Sequence, residues 1–95
     1  MADLTTCTII SYFDTYLTAD ASGAVSLEKE RSNEANWKIE KVDEYYYRII
    51  NAKYETYLRF NFLNIVDTTS KTDTNTLWRI RRDQNHCFIQ AYDNR

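Results

Sequence analysis

The 95-residue chain contains no proline, one glycine, one histidine and two cysteines. With only Cys7 and Cys87, no disulfide framework can staple a small secreted domain, and reduced thiols in a cytoplasmic protein fit better. The sole histidine, His86, adjoins the polar turn Asp83-Gln84-Asn85, and no Cys/His zinc spacing, phosphate loop or calcium loop occurs. Cys87 is next to His86 in an extended run, where neighbouring side chains point to opposite faces, so a Cys-His nucleophile is not supported either. His86 therefore reads as an exposed turn-side residue and both cysteines as small buried groups. No cofactor or metal is expected, and the chain reads as non-enzymatic.

Other absences concern location and partners. Met-Ala-Asp-Leu-Thr-Thr at the start lacks the basic stretch and apolar run of a signal peptide, and there is no Asn-x-Ser/Thr sequon. No apolar stretch is long enough to cross a bilayer, so no membrane role is expected. Residues 1–48 carry five Lys/Arg against nine Asp/Glu, and residues 49–95 carry seven against five. That mild asymmetry lacks the strongly basic face of a nucleic-acid binder. The absence of proline decides nothing between strand and helix.

What the chain does have is aromatic residues, eight Tyr, four Phe and two Trp, enough to bury a real core of strand-forming rings. It also has a repeat. Ala35-Asn36-Trp37-Lys38-Ile39 returns as Thr76-Leu77-Trp78-Arg79-Ile80, 41 positions later. Ile9 returns as Ile50, Tyr16-Leu17 as Tyr57-Leu58, Val25 as Val66, Lys41 as Arg82 and Tyr47 as Phe88. A fixed period near 40 means that one supersecondary unit is being copied.

The local pattern within each unit is strand. Cys7 to Phe13, Tyr16 to Ala19 and Val25 to Glu28 read as strands, with a hairpin turn at Ser22-Gly23. Glu28 to Asn36 reads as a loop leading to the Trp37 strand, in which Trp37, Ile39 and Val42 share a face. After a turn at Asp43-Glu44, Tyr45 to Ile50 returns. Tyr57 to Phe60 and Ile65-Val66 follow, then a polar loop over Asp67 to Thr76, the Trp78 strand, and a final strand from Cys87. A helical solenoid fails because the apolar spacing is two and no window shows i, i+3, i+4, i+7 recurrence. The expectation is one all-β domain of about nine strands. Unit one spans 7–48, unit two 49–88 and the start of a third 89–95.

A four-strand unit with an apolar start, a Tyr-Leu strand, an Asp-x-x-Gly hairpin and a Trp-x-Ile strand resembles the β-trefoil. Thr15-Tyr16-Leu17-Thr18-Ala19-Asp20 followed by Gly23-Ala24-Val25 is similar to the YLTA and YLAAD…G.V strands of fascin-like domains. The resemblance covers the whole chain and implies an all-β, trefoil-like barrel, six strands closing the barrel and six capping it. Most of the third unit is missing, so the barrel is expected to be incomplete. Three explanations follow: a piece of a longer protein or truncated gene model, completion by self-association, or a smaller closed barrel.

Fascin-like domains imply binding or cross-linking of actin filaments. On the outward face of the Trp strands, Lys38 and Lys41 return as Arg79 and Arg82, with Arg81 beside them. Lys38, Lys41, Arg79, Arg81 and Arg82 are thus the candidate ligand-binding residues for an actin filament or another acidic protein surface. Trp37 and Trp78 read as core plugs rather than sugar-stacking rings, since Ile follows two positions on in both. The alternative partner is a glycan, as in a lectin. Ricin-type lectin repeats carry Gln two positions before the Trp, where this chain has Ala35 and Thr76; Asp20 and Asn36 are the remaining polar candidates. A protease inhibitor using the loop Glu28 to Asn36 is a further alternative.

Overall fold

The structure, a computed structural model, describes residues 4–61, 63 and 65–92. The last residues of the expected third unit, 93–95, lie outside the described residues. Nine strands are present among the described residues: β1 (Leu4–Thr8), β2 (Tyr16–Ala19), β3 (Val25–Glu28), β4 (Asn36–Lys41), β5 (Tyr47–Asn51), β6 (Tyr57–Phe60), β7 (Val66–Thr69), β8 (Trp78–Asp83) and β9 (His86–Ala91). Two single 3-10 turns, Asn33–Ala35 and Thr74–Thr76, precede β4 and β8. No helix among the described residues is long and apolar enough to cross a membrane. The chain is all-β and its sheets are antiparallel.

The repeat survives folding. Tyr16 to Tyr57, Val25 to Val66 and Asn33 to Thr74 relate the starts of β2 and β6, β3 and β7, and the two 3-10 turns. Even the backbone strain repeats, because Asp14 and Glu55, each two positions before the second strand of its unit, both adopt positive φ (63° and 56°). Two Trp side chains make equivalent bonds. Trp37 Nε1 donates to the Leu17 carbonyl and Trp78 Nε1 to the Leu58 carbonyl, each at 2.9 Å. A buried indole needs an acceptor, and each unit provides one from its own Tyr-Leu strand.

These Trp side chains centre a core completed by Ala19, Ile49 and Leu58, with Ile9, Leu17, Val25, Ile39, Phe60 and Ala91 packed against it. Burying rings of this size contributes about 4–6 kcal/mol each as an upper estimate. Asn51 is also fully buried. Its Nδ2 donates to the Glu34 carbonyl at 2.9 Å, and its Oδ1 accepts from the Lys53 and Tyr54 backbone N–H groups at 3.1 Å each. One amide thereby fastens the β5–β6 turn to the 3-10 turn before β4.

Strand pairing follows a path β1-β4-β5-β8-β9, in which β4 lies between β1 and β5, and β8 between β5 and β9. The β6–β7 hairpin branches from β5 at Ile50↔Tyr57, and β2–β3 forms a separate two-stranded sheet. The tip of β2–β3 docks on β7: Thr68 N–H donates to the Gly23 carbonyl at 2.9 Å, and Ala24 bridges Asp67. Gly23 has φ of 96°, and a Cβ there would sit 2.9 Å from the Thr68 carbonyl oxygen. No other residue type fits that contact without displacement. The path does not close on itself, since β1 pairs only with β4 and β9 only with β8 among the described residues.

Several local expectations are corrected. The first strand is Leu4–Thr8, not Cys7 to Phe13; Ser11 Oγ shares a 2.6 Å hydrogen bond with Thr15 and accepts from Phe13 N–H, so 11–15 is a turn. Tyr12 and Phe13 project into solvent at 85% and 82% exposure. Tyr45 and Tyr46 belong to the turn, where Asp43 Oδ1 accepts both of their backbone N–H groups, and β5 begins at Tyr47. Val42 lies beyond β4 and is exposed. Asp67 to Thr69, expected as loop, is strand, because Arg59 on β6 forms a two-pronged bond to Asp67 (2.9 and 2.8 Å) that makes a polar pair suited to one face of a hairpin. Ile65, expected in that strand, is an exposed residue before it.

Candidate functional site

β8 reads Trp78-Arg79-Ile80-Arg81-Arg82-Asp83, and its alternation is what exposes charge. Trp78 is fixed inward by the Leu58 bond, which turns Arg79 and Arg81 to the opposite face. Both are exposed. Directly across on β9, Phe88 lies under Arg81, whose Cζ is 5.8 Å from the ring centroid. A guanidinium resting on a ring keeps its charge in water while its stem covers apolar surface. Arg82 shares the face of Ile80, opposite Cys87, and reaches an open cleft rather than the Arg79–Arg81 face.

Ion pairing separates this strand from its counterpart in unit one. Among the described residues the pairs are Lys38–Glu55 at 2.8 Å, Lys53–Glu34, and Arg59–Asp67 at 2.8 Å. Lys38 is therefore already engaged, whereas Arg79, Arg81 and Arg82 have no acidic partner among the described residues. Lys41 is exposed at the end of β4. Lys38 sits beside Ile50 of β5, while Trp78, next to Arg79, sits beside Tyr47. Three residues along β5 amount to about 10 Å, and two strand spacings add about 10 Å across. The lysines and arginines thus form two sets, and within the β8 set Arg79 and Arg81 share a face with no acidic partner among the described residues.

The cleft lies between β1 and β9. It is a cavity of 1080 Å³ walled by Cys7, Ile9 and Ile39 on one side and by Ile80, Cys87 and Ile89 on the other. Asp14, Arg82 and His86 also line it. Neither cysteine is the small buried group expected: Cys7 is half-buried and Cys87 exposed, because the edges that carry them are uncovered. Burial pushes the Cys7 thiol above its ordinary range, which disfavours thiolate formation there. His86 opens β9 and is exposed.

A smaller cavity of 230 Å³ is bordered by Thr18, Asp20, Ser26, Glu28 and Glu34, a polar set of the kind that binds sugars. Its acids are engaged internally. Asp20 Oδ1 accepts from Ser22 N–H, Ser22 Oγ and Ala24 N–H, which marks it as a turn acid, and these bonds hold its carboxyl below the usual range. Ser26 Oγ donates to Glu28 Oε2 at 2.9 Å. Glu34 bonds Lys53, which holds its carboxyl down to about 2. Among the described residues no group of three or more His, Cys, Asp or Glu side chains is placed to hold a metal ion. Asn36 stands at the start of β4, half-buried, with its carbonyl accepting from Ala52 N–H at 2.8 Å.

No protein-family model matches the chain, and no curated protein matches it.

Two features here escaped sequence reasoning. One is the capping of the second 3-10 turn: Asp73 Oδ1 accepts from Asn75 N–H at 2.8 Å, and buried Thr76 Oγ1 donates to the Asp73 carbonyl at 2.6 Å. Asp73-Thr74-Asn75-Thr76 preceding a strand was the available signal. The other is the cleft, which depends on which strands end the path.

Proposed function

We propose that this chain is a non-enzymatic binding module on a β-trefoil-like plan, akin to fascin-like domains, that engages an acidic protein surface. The actin filament is the partner the resemblance offers. Arg79 and Arg81 make the contact from one face, with Arg82 on the opposite face of the same strand and Lys41 and Lys38 at a distance. The observation that carries this reading is that Arg79 and Arg81 share one face of β8 and have no acidic partner among the described residues. Unpaired guanidiniums meet a carboxylate without first breaking an internal bond, and Arg offers the two-pronged geometry that a carboxylate accepts. The path β1-β4-β5-β8-β9, with the β6–β7 hairpin branching from it and β2–β3 as a separate hairpin, supports the trefoil-like plan, since each unit contributes its first and fourth strands to the path and its middle two to a hairpin.

One such face binds a filament; cross-linking requires a second, from another copy or another domain. The carbohydrate reading has weaker support, because the polar cavity around Asp20 spends its donors and acceptors internally. Co-sedimentation with actin filaments tests the proposal. Binding should weaken as salt rises from about 0.05 to 0.3 M, and Arg79→Ala/Arg81→Ala should weaken it about tenfold or more at fixed salt. Unchanged co-sedimentation of that variant refutes the assignment.

A further inference from the structure

Strands at the rim of a sheet ordinarily carry charge, because unpaired N–H and C=O groups recruit other strands. Along the path β1-β4-β5-β8-β9 the distribution is inverted. The rim strands β1 (Leu-Thr-Thr-Cys-Thr) and β9 (His-Cys-Phe-Ile-Gln-Ala) contain no Asp, Glu, Lys or Arg. The interior strands contain several: Lys38, Glu40 and Lys41 in β4, Arg48 in β5, and Arg79, Arg81, Arg82 and Asp83 in β8. Both bare rims flank the same apolar cleft, and Ile10 and Ile89 stand exposed at it.

The chain itself shows what fills such a place. Twice, a Trp-x-Ile strand led by a 3-10 turn lies antiparallel between two neighbours: β4 between β1 and β5, and β8 between β5 and β9. In both, Trp and Ile face the core and a basic residue between them faces out. β9 repeats β5, so β9 and β1 offer a third strand the flanks that β8 and β4 already have. The cleft is walled by Ile9, Ile39, Ile80 and Ile89, which suits side chains of that kind.

We propose that the β1–β9 cleft is a strand-acceptor site for an extended segment of another polypeptide with an aromatic-x-aliphatic pattern of the Trp-x-Ile type, paired antiparallel to both rims. Main-chain hydrogen bonds to the two rims supply affinity, and the inward Trp and Ile supply specificity. The proposal does not depend on Arg79 and Arg81, which face away from the cleft on β8, although Arg82 lines it.

A synthetic peptide of residues 74–83 is the probe, against a control in which its Trp and Ile positions are Ser. Both peptides carry the same three arginines, so attraction to the net −2 chain is matched. Two readouts are taken: anisotropy of the labelled peptide, and the rate at which exposed Cys87 reacts with a thiol reagent. Saturable binding of the Trp-Ile peptide, at least about tenfold tighter than the control, with slowed Cys87 reaction, is the expected result. Equal binding of the two peptides, or no binding at millimolar peptide, overturns it. A chain that is already dimeric with Cys87 protected before peptide is added also overturns it, by giving the cleft to a second copy. So does a chain that lacks near-UV circular dichroism and gains none with peptide.

Discussion

Replacing either Trp by Phe tests the physical basis of the repeat. Trp78 is 5% exposed and its indole N–H is the partner of the Leu58 carbonyl, itself in a residue only 3% exposed. Phe keeps a ring but removes the donor, stranding a buried carbonyl at a cost of about 1–3 kcal/mol. The smaller ring leaves unfilled volume worth about 1 kcal/mol more. The sum, about 2–4 kcal/mol, is large against the roughly 5–14 kcal/mol available to a domain of this size. Trp37→Phe removes the equivalent bond, but Leu17 is only half-buried, so water can replace part of it. Trp78→Phe should therefore cost as much as Trp37→Phe or more. Urea unfolding followed by far-UV circular dichroism measures this without relying on the removed chromophore. With a slope of about 1.5 kcal/mol/M, a 3 kcal/mol loss lowers the midpoint by about 2 M. Losses below about 1 kcal/mol at both positions would refute the view that these indole bonds anchor the units.

Two further outcomes follow from local geometry. Gly23→Ala places a methyl 2.9 Å from the Thr68 carbonyl in a backbone of positive φ, so it should destabilise by about 1–3 kcal/mol, read as a lower urea midpoint; no change would mean that the β2–β3 tip is not held on β7. The carboxyl of Asp67 is lowered by its bond to Arg59, and that of Glu34 is lowered to about 2 by Lys53. A depressed folded pKa adds stability that is present above the unfolded value of about 4 and is lost as pH falls through the folded value. Between pH 5 and 2, Asp67→Asn and Glu34→Gln should each show a shallower fall in urea midpoint than the parent chain.

Much of the fold was legible because it is carried by side chains that repeat. Trp37 and Trp78, Tyr16 and Tyr57, and Val25 and Val66 fix strand class and period with no structure in hand, and the two Trp residues also fix the inward face. The missed boundaries have a common cause. Tyr12, Phe13, Tyr45 and Tyr46 have strand-like chemistry, but Ser11 and Asp43 offer the backbone competing side-chain bonds and win it for turns. Asp67 erred in the opposite direction, since a charged residue joins a strand when Arg59 stands across from it. The basic residues were visible in the sequence as one group. Their division into an engaged Lys38 and unpaired arginines was not, because Glu55 reaches Lys38 from a turn 17 residues away.

The rim strands mark where sequence periodicity stops being informative. Alternation tells which face of a strand is buried, but it says nothing about which strands flank it, and so cannot distinguish β1 from β4 or β9 from β8. Charge content does distinguish them here, in the opposite direction to the usual rule. An interior strand can carry Lys38, Arg48 or Arg79 because its backbone is satisfied on both sides and its outward side chains meet water. A rim strand with no charge has nothing to repel a newcomer, and β1 and β9 share this bareness although they lie at opposite ends of the path. Had only one of them been bare, an uncovered edge would explain it. Two bare edges facing one apolar cleft are both met by the single strand proposed above, because a strand is the element whose backbone bonds on both sides at once.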